Sequence, residues 1–178
     1  QVFYVPNPED FEELFTNILD VGKLSGHEAD AQSLVSSLKD RVSAVEKRLA
    51  GVKTAPTVFY ELDATDPAKP WTSGPGTFID YLLQRAAAKN IAGDMEGAWL
   101  QISQEELIVR NPDFILLGDS IFGMTSEMVK ARPGWSSLKA VNSNQVLPFN
   151  DDLVSRPGPR MVTGLEELAK ILHPELVP

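Results

Sequence analysis

The run Thr57-Val58-Phe59-Tyr60-Glu61-Leu62 is the clearest strand signal in the sequence. It is nearly continuous in apolar and β-prone residues, which is typical of a strand that is buried on both faces of a sheet. A loop rich in proline and glycine follows over 63–76, and helical spacing of apolar residues returns over 77–89. A buried strand that leads through a loop into a helix is the repeating unit of an α/β domain.

The same pattern recurs towards the C-terminus. Residues 113–118 predict a second buried strand that ends in a glycine, and residues 145–149 predict a short third one. Helices are predicted over 126–131 and 158–172. Strands that alternate with helices predict an α/β fold with a mainly parallel sheet and helices on both faces. In such sheets, ligands bind beyond the carboxyl ends of the strands.

The N-terminal side predicts a strand and two helices. Residues 2–5 are β-prone, residues 7–10 resemble a helix start, and Gly22 predicts the end of that helix. Ser25 and Glu28 have the spacing of a capping box, which begins a long amphipathic helix over 26–50. A helix of that length often ties two bodies together, and the alternative is a long surface helix on one domain.

Composition excludes several classes of function. The chain has 178 residues, a formal net charge of −9 and no cysteine. The acidic balance disfavours a nucleic-acid surface, which relies on clustered Lys and Arg. The lack of cysteine excludes disulfides, thiolate metal sites and a Cys nucleophile. No apolar run is long enough to span a membrane.

Catalytic and metal-binding motifs are nearly absent. His27 and His173 are the only histidines, and neither lies near other candidate ligands in the sequence. Asp63 and Asp66 fit turn chemistry better than a paired-carboxylate site. We therefore predict no enzyme, no cofactor and no metal. The Gly74-Pro75-Gly76-Thr77 turn precedes a helix and could equally present backbone N–H groups to a ligand or form a plain turn.

Taken together, the motifs resemble those of class III periplasmic substrate-binding proteins of ABC importers, the helical-backbone group that binds cobalamin, haem and ferric siderophores. The resemblance covers most of the chain and rests on the order and spacing of five segments, at 72–80, 102–107, 111–116, 132–135 and 155–160. It implies a Rossmann-like three-layer lobe, preceded by one long linking helix, and a ligand bound in a cleft between two lobes.

The resemblance also implies a domain division and a location. Residues 1–24 would be the remnant of an N-terminal lobe, 25–52 the long backbone helix and 53–178 the C-terminal α/β lobe. The chain begins with Gln1 and has no signal-like segment. The expectation is therefore a fragment of a periplasmic or extracytoplasmic protein, anchored as a lipoprotein in its full-length form.

Site residues follow from the resemblance position by position. Trp99 matches an aromatic that faces the ligand, with an ordinary core tryptophan as the alternative. Trp71 and the adjacent Gly74 and Gly76 match the loop at the cleft mouth, and Arg156 matches a cleft arginine. Glu105 matches the glutamate that docks the membrane permease, whereas the plainer interpretation is favourable interaction with the helix dipole. If Trp99 lines the cleft it should be exposed, whereas Trp135 is expected to be buried.

The predicted function is capture of a cobalamin-type corrinoid, because two tryptophans offer flat apolar faces. A ferric siderophore and haem are the alternatives within the family. A cytosolic doubly wound enzyme and a receiver-like interaction domain are the alternatives from other classes. The expected partners are an ABC permease and the ligand. A homodimer caused by truncation is also expected, through an unpaired strand at 2–5 and an exposed apolar stripe on the first helix.

Overall fold

The computed structural model describes residues 2–176 and contains seven α-helices and one six-stranded sheet within them. The helices are α1 Phe11–Ser25, α2 Glu28–Leu49, α3 Phe78–Arg85, α4 Gln104–Arg110, α5 Ser126–Lys130, α6 Lys139–Asn142 and α7 Arg160–Leu172. The strands are β1 Thr57–Asp63, β2 Trp71–Ser73, β3 Lys89–Asn90, β4 Trp99–Gln101, β5 Phe114–Leu117 and β6 Val146–Pro148. Short 3-10 turns lie at Gly118–Phe122, Trp135–Ser137 and Asp151–Leu153.

The sheet confirms the predicted α/β fold. Its strand order is β4-β2-β1-β5-β6, and β3 pairs with the first part of β1. The pairings of β1 with β3, β1 with β5 and β5 with β6 are parallel, whereas β1–β2 and β2–β4 are antiparallel. β2 lies inside the segment predicted to be a loop, so that prediction was wrong for residues 71–73.

Helices cover both faces of the sheet, as predicted. Alternate residues of β1 point to opposite faces, so Tyr60 packs in the core beneath α1, α2, α3 and α7, and Phe59 packs in the core beneath α4, α5 and α6. Trp135 is fully buried in the second core, as expected, where its ring makes an edge contact with Phe59. The result is a three-layer arrangement with the carboxyl ends of β1, β5 and β6 at one edge.

The long amphipathic helix is confirmed as α2, which has 22 residues and spans about 33 Å. Its predicted start was wrong. Ser25 is the last residue of α1, where its hydroxyl donates to the Val21 carbonyl, and His27 precedes α2 without a side-chain cap. Arg41 ties α2 to α7 through two hydrogen bonds to Glu166, of 2.8 and 2.6 Å.

The first helix also differs from its predicted bounds. Asp10 caps α1, and Gly26 ends it with a φ of +76°, a left-handed conformation that glycine adopts without strain. Gly22, predicted to end the helix, instead lets two helices approach closely, because a Cβ there would lie 2.3 Å from that of Ala31.

The grounds for a homodimer are removed by the structure. Residues 2–5 form no strand, so they present no unpaired strand edge. The apolar side of α1 is not an exposed stripe either, because Phe11, Leu14 and Phe15 are each 3% exposed. They pack in the same core as α2, α3 and α7. The first part of α1 therefore covers its apolar face within this chain, whereas Leu19, Val21 and Leu24 further along the helix are exposed.

Candidate functional site

The carboxyl edge of the sheet gathers the connections in which a ligand would be expected. β1 ends at Asp63, β5 continues into the 3-10 turn at Gly118–Phe122, and β6 leads to Phe149. Because β2 runs antiparallel to β1, it begins at this edge, where Trp71 pairs with Asp63. The first residue of β2 therefore lies beside the end of β1.

Trp71 and Trp99 lie on the same face of the β2–β4 ribbon. Trp71 pairs with Gln101, and Trp99 is two residues before Gln101, so the two rings share a face. Diagonal neighbours of this kind are about 7–8 Å apart. Both rings are open to solvent, with 43% of Trp71 and 56% of Trp99 exposed, whereas Thr72 and Leu100 on the other face are buried. The ribbon thus presents two aromatic rings on one exposed face.

The glycine turn after β2 packs closely and caps a helix. A Cβ on Gly74 would lie 2.1 Å from the Gly97 carbonyl oxygen, and the Gly74 N–H already donates to the Ala98 carbonyl at 2.8 Å. Thr77 caps α3 by accepting a hydrogen bond from the Asp80 N–H. Gly76 has a φ of +72°, and a Cβ there would meet open space. Gly74 therefore holds the tryptophan ribbon in place rather than donating an N–H to a ligand.

Arg156 lies at the other side of the sheet, in the connection that follows β6. Its guanidinium is largely exposed and bonds Asp152 at 2.6 Å, one helical turn earlier. β6 is three strands from β2 in the sheet, or about 14 Å at the usual strand spacing. The structure therefore does not join Arg156 to the tryptophans in one cluster but places it on a connection along the same edge.

Glu105 is the second residue of α4, and its side chain is exposed. Ser103 caps this helix by accepting from the Glu106 N–H at 3.1 Å. Glu106 does not complete a capping box, because its carboxylate accepts from the Arg110 guanidinium at 2.6 Å instead. Val109 follows Glu105 by one turn and is 79% exposed, so this helix presents a carboxylate and an apolar side chain to solvent.

A buried ionic cluster, which the sequence analysis does not predict, lies beneath the carboxyl edge of the sheet. Arg132 donates to both carboxylate oxygens of Glu61, at 2.6 and 2.8 Å, and its guanidinium lies 4.5 Å from the centre of the Trp135 ring. Asp119 is also buried, and its Oδ1 accepts no hydrogen bond within residues 2–176. Burial and the adjacent Glu61 carboxylate raise the pKa of Asp119 to about 7.

Tyr60 and Tyr81 carry the phenols that a haem alternative would call on, and both hydroxyls have partners already. The Tyr60 hydroxyl donates to Asp151 at 2.8 Å, and burial together with this carboxylate raises the pKa of Tyr60 well above its usual value. The Tyr81 hydroxyl accepts from the Phe11 N–H at 3.4 Å. Neither phenol therefore lies free at the carboxyl edge.

Asp63 and Asp66 serve as turn residues, accepting from the N–H groups of Thr65 and Ala68 at 2.7 and 3.0 Å.

Across residues 2–176, no group of three or more His, Cys, Asp or Glu side chains is placed to hold a metal ion. Over the same range, no helix is both long and apolar enough to cross a membrane.

Comparison with known proteins decides the family. The sequence model of the family described as "Periplasmic binding protein" matches residues 1–153. The chain belongs to this periplasmic binding protein family. The match confirms the predicted resemblance, and binding proteins rather than enzymes give the family its name.

Relatives of this periplasmic binding protein are ABC transporter and cobalamin-binding proteins. An uncharacterized ABC transporter substrate-binding lipoprotein, YvrC, of Bacillus subtilis is 34% identical over 176 residues, which is 98% of this chain and 54% of that protein. A cobalamin-binding protein of Halobacterium salinarum is 27% identical over 159 residues, which is 86% of this chain and 42% of that protein. The chain therefore spans about half the length of these curated relatives.

A solved structure supports the fold of this periplasmic binding protein. The crystal structure described as a possible iron-binding, periplasmic solute-binding protein of Staphylococcus epidermidis matches with a TM-score of 0.84 and 29% identity. The match covers 97% of this chain and 66% of that one. Family and fold agree with the sequence prediction, whereas the relatives differ in the ligand that their names give.

Proposed function

We propose that this chain contributes one wall of the ligand cleft in an ABC-importer binding protein, and that the ligand is a cobalamin-type corrinoid. The observation that carries the proposal is the pair Trp71 and Trp99, exposed on one face of the β2–β4 ribbon. Flat aromatic faces stack on the flat, largely apolar ring of a macrocycle. The cobalamin-binding relative supports the same ligand class.

Charge favours a neutral ligand over an anionic chelate. The chain has a formal net charge of −9, and Arg156, the arginine predicted to lie at the cleft, is paired with Asp152. A ferric siderophore is the second candidate, supported by the iron-binding description of the Staphylococcus epidermidis structure. Haem ranks third, because the Tyr60 and Tyr81 hydroxyls are engaged elsewhere.

The proposal includes a second lobe. The relatives are about twice as long as this chain, and ligand clefts bury most of the ligand surface, which one wall cannot do. In this arrangement residues 25–52 provide the backbone helix and residues 53–178 the C-terminal lobe. Residues 1–24 belong to the N-terminal side, although α1 packs on the core of this lobe. Arg41 and Glu166 fasten the backbone helix to the lobe, so the two move together.

Delivery to the membrane completes the proposed function. Glu105 is exposed at the start of α4 and would pair with a basic residue of the permease. The lipoprotein relative supports an extracytoplasmic location with a lipid anchor in the natural full-length protein. No cofactor is required for this work, since capture and release are binding steps.

Substitution of the tryptophans tests the proposal. In the natural full-length protein, Trp71→Ala and Trp99→Ala should each weaken cyanocobalamin binding at least tenfold, measured by calorimetry. Val109→Ala is the control, since Val109 is also an exposed apolar residue but lies on α4. Unchanged cyanocobalamin affinity in the Trp71→Ala/Trp99→Ala double variant would contradict the proposed site.

A further inference from the structure

The 3-10 turn Gly118–Phe122 presents two apolar side chains to water at the carboxyl edge. Ile121 is 50% exposed and Phe122 is 85% exposed. This turn follows β5, which is two strands from β2, so it begins about 10 Å from the Trp71 strand. A single exposed apolar residue is ordinary on a protein surface. What distinguishes this turn is the set of contacts that holds its backbone in place.

Buried contacts fix the underside of the turn. Gly118 lies against β1, because a Cβ there would be 2.7 Å from the Tyr60 ring. Asp119 is 7% exposed and adjoins the Glu61–Arg132 pair. The Ser120 hydroxyl donates to the Phe149 carbonyl at 3.0 Å, and Gly123 ends the turn with a φ of +97°. The backbone of the turn is therefore held in place from its underside before anything binds, which lowers the entropic cost of ordering it on binding.

A recess of about 440 Å³ opens beside the turn. Ile121, Met124 and Pro148 form its apolar walls, and Glu127 is its only charged residue among those described. Asn150 also lines it. The Asn150 Oδ1 accepts from the Asp152 N–H at 3.2 Å, whereas its amide nitrogen donates to no protein atom within residues 2–176. The recess thus offers apolar surface and an amide donor, with no cation to hold an anionic ligand.

We infer that the 118–122 turn and this recess form a second ligand-contacting surface, which receives the amide-bearing rim of the macrocycle whose face lies on Trp71. This inference rests on the proposed function and restricts the class of ligand that the site would accept. The peripheral carboxamides of a corrinoid match the Asn150 amide donor, whereas Glu127 repels the carboxylates or catecholates of an anionic chelate. Phe122 is the specificity-determining aromatic, and Asn150 selects a carbonyl acceptor.

Affinity measurements on the natural full-length protein test the inference, with cyanocobalamin as the probe. Phe122→Ala should weaken binding about tenfold, because it removes an aromatic contact. Asn150→Asp keeps the oxygen that caps the Asp152 N–H but replaces the amide donor, so it should weaken binding severalfold. Val109→Ala, which changes an equally exposed apolar residue on α4, should bind as the unsubstituted protein does.

A labelling experiment gives a readout that does not depend on affinity. These 178 residues contain no cysteine, so Phe122→Cys adds a single thiol to this part of the protein. Saturating cyanocobalamin should slow its maleimide labelling at least tenfold, and labelling of the matched Val109→Cys variant should not change. Protection at position 122 supports a contact at the turn, and protection that comes with lowered affinity in Phe122→Ala establishes it.

The outcomes separate the inference from the proposed function. If cyanocobalamin binds the unsubstituted protein but neither Phe122→Ala nor Asn150→Asp weakens binding, the second surface is refuted and the tryptophan site stands. Unchanged labelling of Phe122→Cys under saturation refutes it in the same way. If cyanocobalamin does not bind the unsubstituted protein at all, the corrinoid assignment fails, and this inference fails with it.

Discussion

Arg132 donates hydrogen bonds to both carboxylate oxygens of Glu61, at 2.6 and 2.8 Å. This pair lies beneath the edge of the sheet where the candidate site is found. Glu61 lies in β1 and Arg132 is the second residue after α5, and both side chains are almost fully buried. The pair therefore connects the strand beside Trp71 to the segment that follows the 118–122 turn. This connection fixes the relative positions of two surfaces that the ligand is proposed to touch.

Loss of Arg132 should destabilise the fold strongly. Arg132→Met leaves the Glu61 carboxylate buried without a partner, which typically costs about 3–5 kcal/mol in the free energy of unfolding. Urea denaturation followed by circular dichroism measures it. Arg156→Met is the matched control, since it breaks an exposed ion pair worth at most about 1 kcal/mol. A loss below about 1 kcal/mol in Arg132→Met would show that Glu61 finds another partner.

The free energy of unfolding should fall as the pH rises from about 4 to about 7, because in this range Asp119 keeps its proton only in the folded protein. The pKa of this carboxyl is about 7 in the folded protein and near 4 in an unfolded chain. Between these values the folded state holds a proton that the unfolded state has released, so raising the pH favours unfolding. Asp119→Asn should flatten that part of the curve of unfolding free energy against pH. An unchanged slope in Asp119→Asn would mean that Asp119 titrates normally.

Gly74, which is closely packed beside the tryptophan ribbon, should not tolerate a side chain. In Gly74→Ala the new Cβ meets the Gly97 carbonyl oxygen at 2.1 Å, so the loop must shift, at a cost of about 1–3 kcal/mol. Gly51→Ala serves as the control, because a Cβ at that position meets open space. Thermal unfolding of the two variants compares them. Equal melting temperatures would argue against the close approach at Gly74.

A substitution at Glu105 on α4 should impair docking to the permease without changing ligand affinity. Glu105→Ala in the natural full-length protein should lower transport in membranes that hold its permease, while cyanocobalamin affinity stays unchanged, because Glu105 lies outside the proposed ligand surfaces. Glu96→Ala, which removes another exposed carboxylate, should leave transport intact. Reduced ligand affinity in Glu105→Ala with normal transport would reverse the assignment.

Much of the central sheet could be predicted from the sequence. β1, β5 and β6 were found because each is a short apolar run, and α2 and α7 because their apolar residues recur at helical spacing. β2 was missed because three residues between Pro70 and Gly74 have the composition of a loop. Its strand conformation comes from pairing with β1 and β4, which are distant in sequence.

The site was predictable in part. The exposure of Trp99 follows the expectation from resemblance, and the burial of Trp135 follows from its place in a turn before an apolar residue. The roles of the predicted site residues remain predictions; these residues are Trp71, Gly74, Gly76, Trp99, Arg156 and Glu105. The ionic cluster was beyond sequence reasoning. Glu61 interrupts an apolar strand, and its partner Arg132 is 71 residues further on, so nothing local in the sequence links the two. Burial and the Glu61 carboxylate, which is distant in sequence, raise the pKa of Asp119, so nothing local in the sequence predicts that shift either.

A calorimetric comparison of three ligands tests whether the tryptophan ribbon belongs to a corrinoid site. Cyanocobalamin, haem and a ferric hydroxamate siderophore are titrated in turn into the natural full-length protein under the same conditions. We expect cyanocobalamin to bind at least tenfold more tightly than either iron ligand. Tighter binding of haem or of the siderophore, with no heat from cyanocobalamin, would contradict it.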